Sequence, residues 1–159
     1  MAFTIRPIGI IETPFDKLEG MPIQPSGAVN VIGTIVIDKE YEQGLNDLEG
    51  FSHIILLYHF HQSNGYDLMV KPFMDDHERG LFSTRAPRRP NPVGLSIVQL
   101  IKRETNRLTI KGIDVVNKTP LIDIKPYVPG FDAKEVTATG WLEKNYKKAM
   151  SLKSDDRFV

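Results

Sequence analysis

Short apolar runs separated by turn residues are the feature that most constrains the fold of this 159-residue chain. The runs Leu95 to Ile101, Leu108 to Val116 and Leu121 to Ile124 are rich in β-branched side chains, and turn signals recur about every ten residues. In residues 29–37 the apolar side chains fall on odd positions, which is the period of a strand with one buried face. The pattern predicts an all-β (mainly β) fold of about eight short strands, arranged as a barrel or a sandwich.

Further runs and one helical segment complete the predicted elements. The strand of residues 29–37 has a possible bulge at Gly33. The other predicted strands are Phe3 to Ile11, His53 to His61, Leu68 to Val70 and Val136 to Leu142. The centre of His53 to His61 is continuously apolar, which predicts burial on both faces. One internal helix is expected between an N-cap at Asp38 and a stop at Gly50. A second short helix would lie in the lysine-rich tail, so one or two short helices are expected in all.

Composition excludes several classes of protein. The chain has no cysteine, which excludes disulfides, Fe–S clusters, thiol catalysis and Cys-type zinc sites. Twenty Lys and Arg balance twenty Asp and Glu, so the chain has neither the composition of a basic nucleic-acid wrapper nor that of an acidic disordered protein. No apolar run approaches about 18 residues and no basic-then-apolar leader is recognised, so a soluble, cytoplasmic protein is expected.

Positive charge concentrates in the middle of the chain. Residues 1–70 hold three basic and nine acidic side chains, whereas residues 71–111 hold nine basic and four acidic ones. The loop from Gly80 to Gly94 carries Arg85, Arg88 and Arg89 among Pro87, Pro90 and Pro92. Because proline fixes φ, the loop should be stiff, and guanidinium groups on a stiff frame are preorganised to bind carboxylate or phosphate. The loop predicts a clamp for a cofactor carboxylate, an RNA phosphate or both; a rigid loop with solvated arginines is the alternative.

A second candidate lies in the run from Thr119 to Tyr127. Because alternate residues of a strand share a face, this run would place Leu121, Asp123, Lys125 and Tyr127 on the same face. A carboxylate, an ammonium group and a phenol in a row provide an acid–base pair and a hydrogen-bonding group that orients a substrate. An exposed strand face with an ordinary Asp–Lys pair is the alternative.

Three histidines form a third candidate. His53, His59 and His61 share strand parity, and the pair His59 and His61 resembles the ligands of metal sites on strands. A third ligand would have to come from Asp67 or from residues 75–78. The alternative is that these are ordinary hydrogen-bonded histidines near a cavity.

Several segments together resemble one family. They are Ile8 to Phe15, Gly50 to His53, Phe60 to Gln62, Gly80 to Arg85, Arg89 to Ser96 and Thr119 to Tyr127. In these segments the chain resembles the TsaA-like (TrmO) family of S-adenosylmethionine-dependent methyltransferases, which act on N6-threonylcarbamoyladenosine beside the tRNA anticodon. The similarity extends over residues 5–143.

The resemblance implies a single-domain β-barrel of about seven to eight strands, the TsaA-like domain, in residues 1–143. The lysine-rich C-terminal tail in residues 144–159 is expected to be helical or partly disordered. It also implies a homodimer that binds S-adenosyl-L-methionine near the subunit interface and uses tRNA as substrate. The implied cofactor contacts are Gln24, Pro25, Ser26, Phe60, His61, Arg85, Leu95, Thr119, Pro120, Leu121 and Ile122. The implied catalytic residues are Asp123, Lys125 and Tyr127, with Arg88 and Arg89 facing the tRNA backbone.

Two other functions remain open on the residues alone. One is a metal-dependent barrel enzyme that uses His59 and His61. The other is a non-catalytic module in which the arginine loop binds RNA or a nucleotide.

Overall fold

Eight strands form the scaffold in the computed structural model, which describes residues 1–21, 25–73 and 75–144. They are β1 (Gly9–Glu12), β2 (Ile32–Ile37), β3 (His53–His59), β4 (Met69–Val70), β5 (Arg79–Gly80), β6 (Val93–Glu104), β7 (Arg107–Lys111) and β8 (Thr119–Pro126). Six of them close an antiparallel barrel in the order β1-β2-β7-β6-β3-β8, and β4 pairs with β5 in a separate sheet. The predicted mainly β barrel is therefore confirmed.

The helical elements in the described residues are short, and none is longer than seven residues. One is α1 (Pro129–Asp132), and the others are 3-10 turns at Pro25–Ala28, Lys39–Leu45, Leu48–Gly50, Leu81–Ser83 and Gly140–Leu142. No helix within these described parts is long and apolar enough to cross a membrane.

The barrel encloses one face of each strand. On β3, Ile54, Leu56 and Tyr58 are buried, whereas Ile55 and Leu57 between them are only half-buried. The expectation that this run is buried on both faces is wrong, because a single barrel layer covers only its inner side. The enclosed core is built mainly from β-branched and leucine side chains: Ile11, Ile35, Ile37, Ile54, Leu56, Val98, Leu108, Ile110, Ile113 and Leu121.

Other predicted boundaries also need correction. The first strand is short, Gly9–Glu12, and Val136 to Leu142 contains a 3-10 turn in place of a strand. The predicted helix from Asp38 to Gly50 is two 3-10 turns separated by Asp47, whose φ of 69° is left-handed and interrupts helical geometry. Gly33 is no bulge: it pairs regularly with Ile110.

A bulge in β8 changes which side chains face the core. Leu57 of β3 lies opposite Asp123, but the next residue, Tyr58, lies opposite Leu121, so Ile122 is an extra residue. Leu121 is fully buried, and Ile124 packs against the same core from the far side of the bulge. Asp123 and Lys125 consequently lie on the outer face, and the expected common face of Leu121 with Asp123 is wrong.

Candidate functional site

Arg88 and Arg89 of the predicted clamp hydrogen-bond to carbonyl oxygens of the protein itself. Arg89 Nη1 donates to the carbonyl oxygens of Thr84 and Ala86, at 3.0 and 3.1 Å. Arg88 Nε donates to the Asn64 carbonyl at 3.0 Å. These contacts tie the loop to itself and to residues 62–67. The side chain of Arg85 in the same loop is exposed.

A hydrogen-bonded chain of polar side chains lies beside Arg85. Ser96 Oγ donates to Asp114 Oδ1 at 2.9 Å, and the Tyr58 hydroxyl lies 2.9 Å from Ser96 Oγ. While Asp114 is ionised, the Ser96 proton is directed to the carboxylate, and the Tyr58 hydroxyl then donates to Ser96 Oγ. Burial raises the pKa of Asp114 to about 7, opposed by the hydrogen bond from Ser96 and by the positive charge of Arg85. This carboxyl group therefore titrates near neutral pH.

The same surroundings act on Tyr58. Burial raises the pKa of its phenol, and the negative charge of Asp114 raises it further. Tyr58 therefore stays protonated and remains a hydrogen-bond donor. Its ring packs edge-on against Phe60 at 5.5 Å between centroids, so the chain of polar groups adjoins one predicted cofactor contact.

His61 carries a buried polar atom that needs a partner. Its Nδ1 is buried and makes no hydrogen bond within the described part of the chain. Burial lowers the pKa of His61, and the nearby charge of His59 lowers it further, so both favour the neutral form of the ring. Buried polar atoms are almost always hydrogen-bonded, so an unpaired one directly after β3 fits a site whose ligand supplies the partner.

The donors proposed for a metal site do not converge. In residues 1–21, 25–73 and 75–144, no group of three His, Asp or Glu side chains is placed to hold a metal ion. Asp67 lies near Arg88 Nη2 at 3.7 Å, and Asp75 pairs with Arg79 and His77. Two of the carboxylates expected to complete a site with His59 and His61 are therefore paired with cations elsewhere.

The outer face of β8 brings two of the predicted catalytic residues together. Lys125 Nζ lies 2.8 Å from Asp123 Oδ2, and this hydrogen bond raises the pKa of Lys125. Across the sheet, Asp123 lies opposite Leu57, which in turn lies opposite Leu95 of β6. The carboxylate and Leu95 therefore share one row of the barrel surface, about 10 Å apart.

Tyr127 lies beyond the end of β8. Its ring packs edge-on against His53, with 6.5 Å between centroids, and its backbone N–H donates to the His53 carbonyl at 3.1 Å. It is four residues from Asp123, or about 13 Å along an extended strand.

The remaining predicted cofactor contacts lie in two segments, residues 119–122 and residues 24–26. Thr119 is buried with its hydroxyl donating to the Val116 carbonyl at 2.6 Å, and Leu121 points into the core, so both would meet a ligand through their main chain. Pro120 and Ile122 are half-buried on either side of Leu121. Pro25 and Ser26 begin a 3-10 turn, while Gln24 lies outside the described residues, as does the predicted tail from residue 145 onward.

Asp114, Ser96 and Tyr58 are the polar residues that sequence reasoning missed. A lone carboxylate within Ile113 to Val116, three of whose four residues are apolar and buried, is a signal that could have identified Asp114. Its partners could not be identified, because they come from two other strands.

Comparison with known proteins identifies the family. Residues 10–133 match the model of the tRNA-methyltransferase O N-terminal domain. The chain belongs to this family. It is 50% identical over 153 residues to a probable S-adenosyl-L-methionine-binding protein of Pyrococcus abyssi, covering 96% of this chain and 83% of that protein. It is 36% identical to the tRNA (adenine(37)-N6)-methyltransferase of Rattus norvegicus, over 82% of this chain and 32% of that protein.

Solved structures of the family show the same fold. The crystal structure of TrmO from Pseudomonas aeruginosa superposes with a TM-score of 0.74 at 36% identity, covering 89% of this chain and 63% of that one. This member of the tRNA-methyltransferase O family therefore spans less than two thirds of that chain and about a third of the rat protein.

The partly buried Asp114 predicts a pH dependence of folding. The pKa of its carboxyl is 3.8 in a model compound and about 7 in the fold, so the folded state holds the proton more tightly than the unfolded one. Stability is lost as pH rises from about 4 through about 7, and the cost is complete above that range. Asp114→Asn keeps a hydrogen-bond acceptor for Ser96 but cannot ionise. Relative to this variant, the wild type should lose roughly 1–4 kcal/mol of unfolding free energy between pH 4 and pH 8. Urea unfolding at several pH values measures the difference, and parallel profiles would contradict it.

Proposed function

We propose that this chain is an S-adenosyl-L-methionine-dependent methyltransferase that methylates N6 of threonylcarbamoyladenosine next to the tRNA anticodon. The observation that carries the proposal is the Asp123–Lys125 pair on the outer barrel face, in the same row as Leu95. Methyl transfer to a nitrogen acceptor requires a group that takes up the proton of that nitrogen, and this acid–base pair lies beside an apolar surface that could hold the base. The names of the rat and Pyrococcus relatives support the reaction and the cofactor. An enzyme acting on tRNA is also expected in the cytoplasm.

The chain offers contacts suited to the cofactor. The exposed Arg85 guanidinium would bind the carboxylate of S-adenosyl-L-methionine. The unpartnered His61 Nδ1 would hydrogen-bond to a polar group of the ligand. Leu95 and Phe60 would contact its apolar parts. When bound, the cofactor supplies an electrophilic methyl group on its sulfonium.

Asp123 and Lys125 would handle the proton of the acceptor. The carbamoyl group on N6 withdraws electrons, which makes the nitrogen a weaker nucleophile and its proton easier to remove. Asp123 would take that proton on a carboxylate oxygen as N6 becomes methylated. Lys125, held as a cation by its hydrogen bond to Asp123, would balance the negative charge that develops on the carbamoyl oxygen. Tyr127 would orient the base from the end of the strand.

A homodimer is also proposed, through the outer face of β3 and β6. Leu95 is 49% exposed and Ile97 is 39% exposed, and they lie opposite the half-buried Leu57 and Ile55. A patch of adjacent apolar side chains on a barrel surface is typical of an interface. A partner packed there would lie beside Asp123 and Lys125, which supports a site near the interface.

The proposed contact of Arg85 with the cofactor carboxylate predicts that removal of this side chain weakens cofactor binding. In a calorimetric titration with S-adenosyl-L-methionine, Arg85→Ala should bind about 1.5–3 kcal/mol more weakly than the wild type, the scale of a charged hydrogen bond. The matched control is Arg107→Ala, which removes an exposed arginine that pairs with Glu12 on the β1–β2–β7 side of the barrel. Its affinity should equal that of the wild type. Equal affinities for all three proteins, or no binding by the folded wild type, would count against the cofactor site.

The roles proposed for Asp123, Lys125 and Tyr127 predict that their substitution lowers the rate of methyl transfer. Asp123→Asn should lower kcat by about 10²–10⁴-fold, the usual contribution of a general base, while cofactor affinity stays the same. Lys125→Ala and Tyr127→Phe should lower it less. The control is the pair Lys102–Glu104 on β6, which has the same two-residue spacing and a 3.0 Å contact. Glu104→Gln should turn over like the wild type, and wild-type turnover in all three site variants would refute the assignment.

The apolar patch predicts a dimer that one charge can dissociate. Ile97→Asp should shift the mass from dimer to monomer in light scattering after size-exclusion chromatography, because the carboxylate would be buried without a partner. Val29→Asp, at a 59% exposed apolar residue outside the strands, should leave the mass unchanged. A monomeric wild type at micromolar concentration would contradict the dimer.

A further inference from the structure

An exposed phenyl ring stands in the arginine loop. Phe82 occupies the 3-10 turn Leu81–Ser83 between β5 and the arginines, and it is 74% exposed. Its neighbour Leu81 is 1% exposed and anchors the turn in the small core under the loop. The neighbouring side chain already fixes the turn, so folding does not account for the exposed ring.

The turn that carries Phe82 is held from several sides. Ser83 Oγ donates to the Gly80 carbonyl at 2.7 Å, and Thr84 Oγ1 donates to the Leu81 carbonyl at 2.7 Å. From the C-terminal side, Trp141 Nε1 donates to the Ser83 carbonyl at 2.8 Å. A ring presented on such a fixed frame loses little conformational entropy when it binds a partner.

One cation lies over the exposed ring, and two more arginines follow in the sequence of the loop. Arg89 Cζ lies 5.7 Å from the Phe82 ring centroid, and the hydrogen bonds of Arg89 to Thr84 and Ala86 hold it in place. Arg85 and Arg88 follow within the same loop. A flat apolar face next to cations complements a nucleobase, which presents a flat π face and carries phosphate on either side.

We propose that Phe82 is a stacking platform for an unpaired nucleobase of the RNA substrate, with Arg89 fixing the orientation of the ring. The platform rests on the proposed function, because the RNA in question is the anticodon loop whose adenosine is methylated. Bases in such a loop are unstacked and available to aromatic side chains, unlike those in a duplex. Phe82 is therefore a residue that positions the RNA and not one that binds S-adenosyl-L-methionine.

The test uses the full chain and an anticodon stem–loop RNA with 2-aminopurine beside the target adenosine. Binding of the wild type should quench the 2-aminopurine fluorescence by stacking. Phe82→Ala should raise the Kd about tenfold and remove the quenching, since one base–aromatic stack contributes about that factor. Phe82→Trp should restore both. Calorimetry should give all these proteins the same affinity for S-adenosyl-L-methionine.

Phe3→Ala is the matched control, because Phe3 is 77% exposed in the segment before β1. It should bind and quench like the wild type. Wild-type Kd and quenching in Phe82→Ala would overturn the platform, as would an equal loss in Phe3→Ala or no binding of the RNA by the wild type. If Phe82 governs quenching but the wild type transfers no methyl group, the platform stands and the proposed reaction fails. If methyl transfer is efficient and Phe82→Ala has no effect on it or on binding, the reaction stands and the platform fails.

Discussion

The bulge at Ile122 decides which side chains of β8 reach solvent. In a regular strand Leu121 and Asp123 would share a face, and Leu121 is fully buried in the barrel. Asp123 would then be a carboxylate inside an apolar core, where an unpaired charge costs many kcal/mol. The extra residue turns Asp123 and Lys125 outward while Ile124 still reaches the core. The candidate catalytic pair therefore depends on one irregularity in the sheet.

The arginine loop shows how similar residues take different roles. Arg89 and Arg88 use their guanidinium groups on carbonyl oxygens of the protein itself, which builds the loop. Arg85 is exposed, and its charge acts on Asp114 and Tyr58 at the end of the barrel. Within one stiff, proline-rich loop, two arginines therefore hold the backbone, and the exposed Arg85 is the one that we propose for the cofactor carboxylate. Phe82 is presented by the same hydrogen-bonded frame.

Sequence reasoning identified what depends on local pattern. The odd-numbered Ile35 and Ile37 predicted the inner face of β2, and the motifs around Arg85 and Asp123 indicated the family that the comparison then confirmed. The sequence did not predict features that depend on contacts between residues far apart in the chain. The bulge at Ile122 arises from pairing with β3, about 65 residues earlier in the chain. The chain from Tyr58 through Ser96 to Asp114 joins residues from distant segments, and no local spacing reveals it.

The most direct test of the account is the product of the reaction. The protein is incubated with S-adenosyl-L-methionine carrying a trideuterated methyl group and with tRNA that holds threonylcarbamoyladenosine beside its anticodon. The nucleosides are then separated and their masses measured. The proposed function predicts the deuterated methyl group on N6 of threonylcarbamoyladenosine, and its loss with Asp123→Asn. Label on another nucleoside would contradict the proposed substrate. No label from protein that binds the cofactor would contradict the proposed reaction and leave a binding module in place of an enzyme.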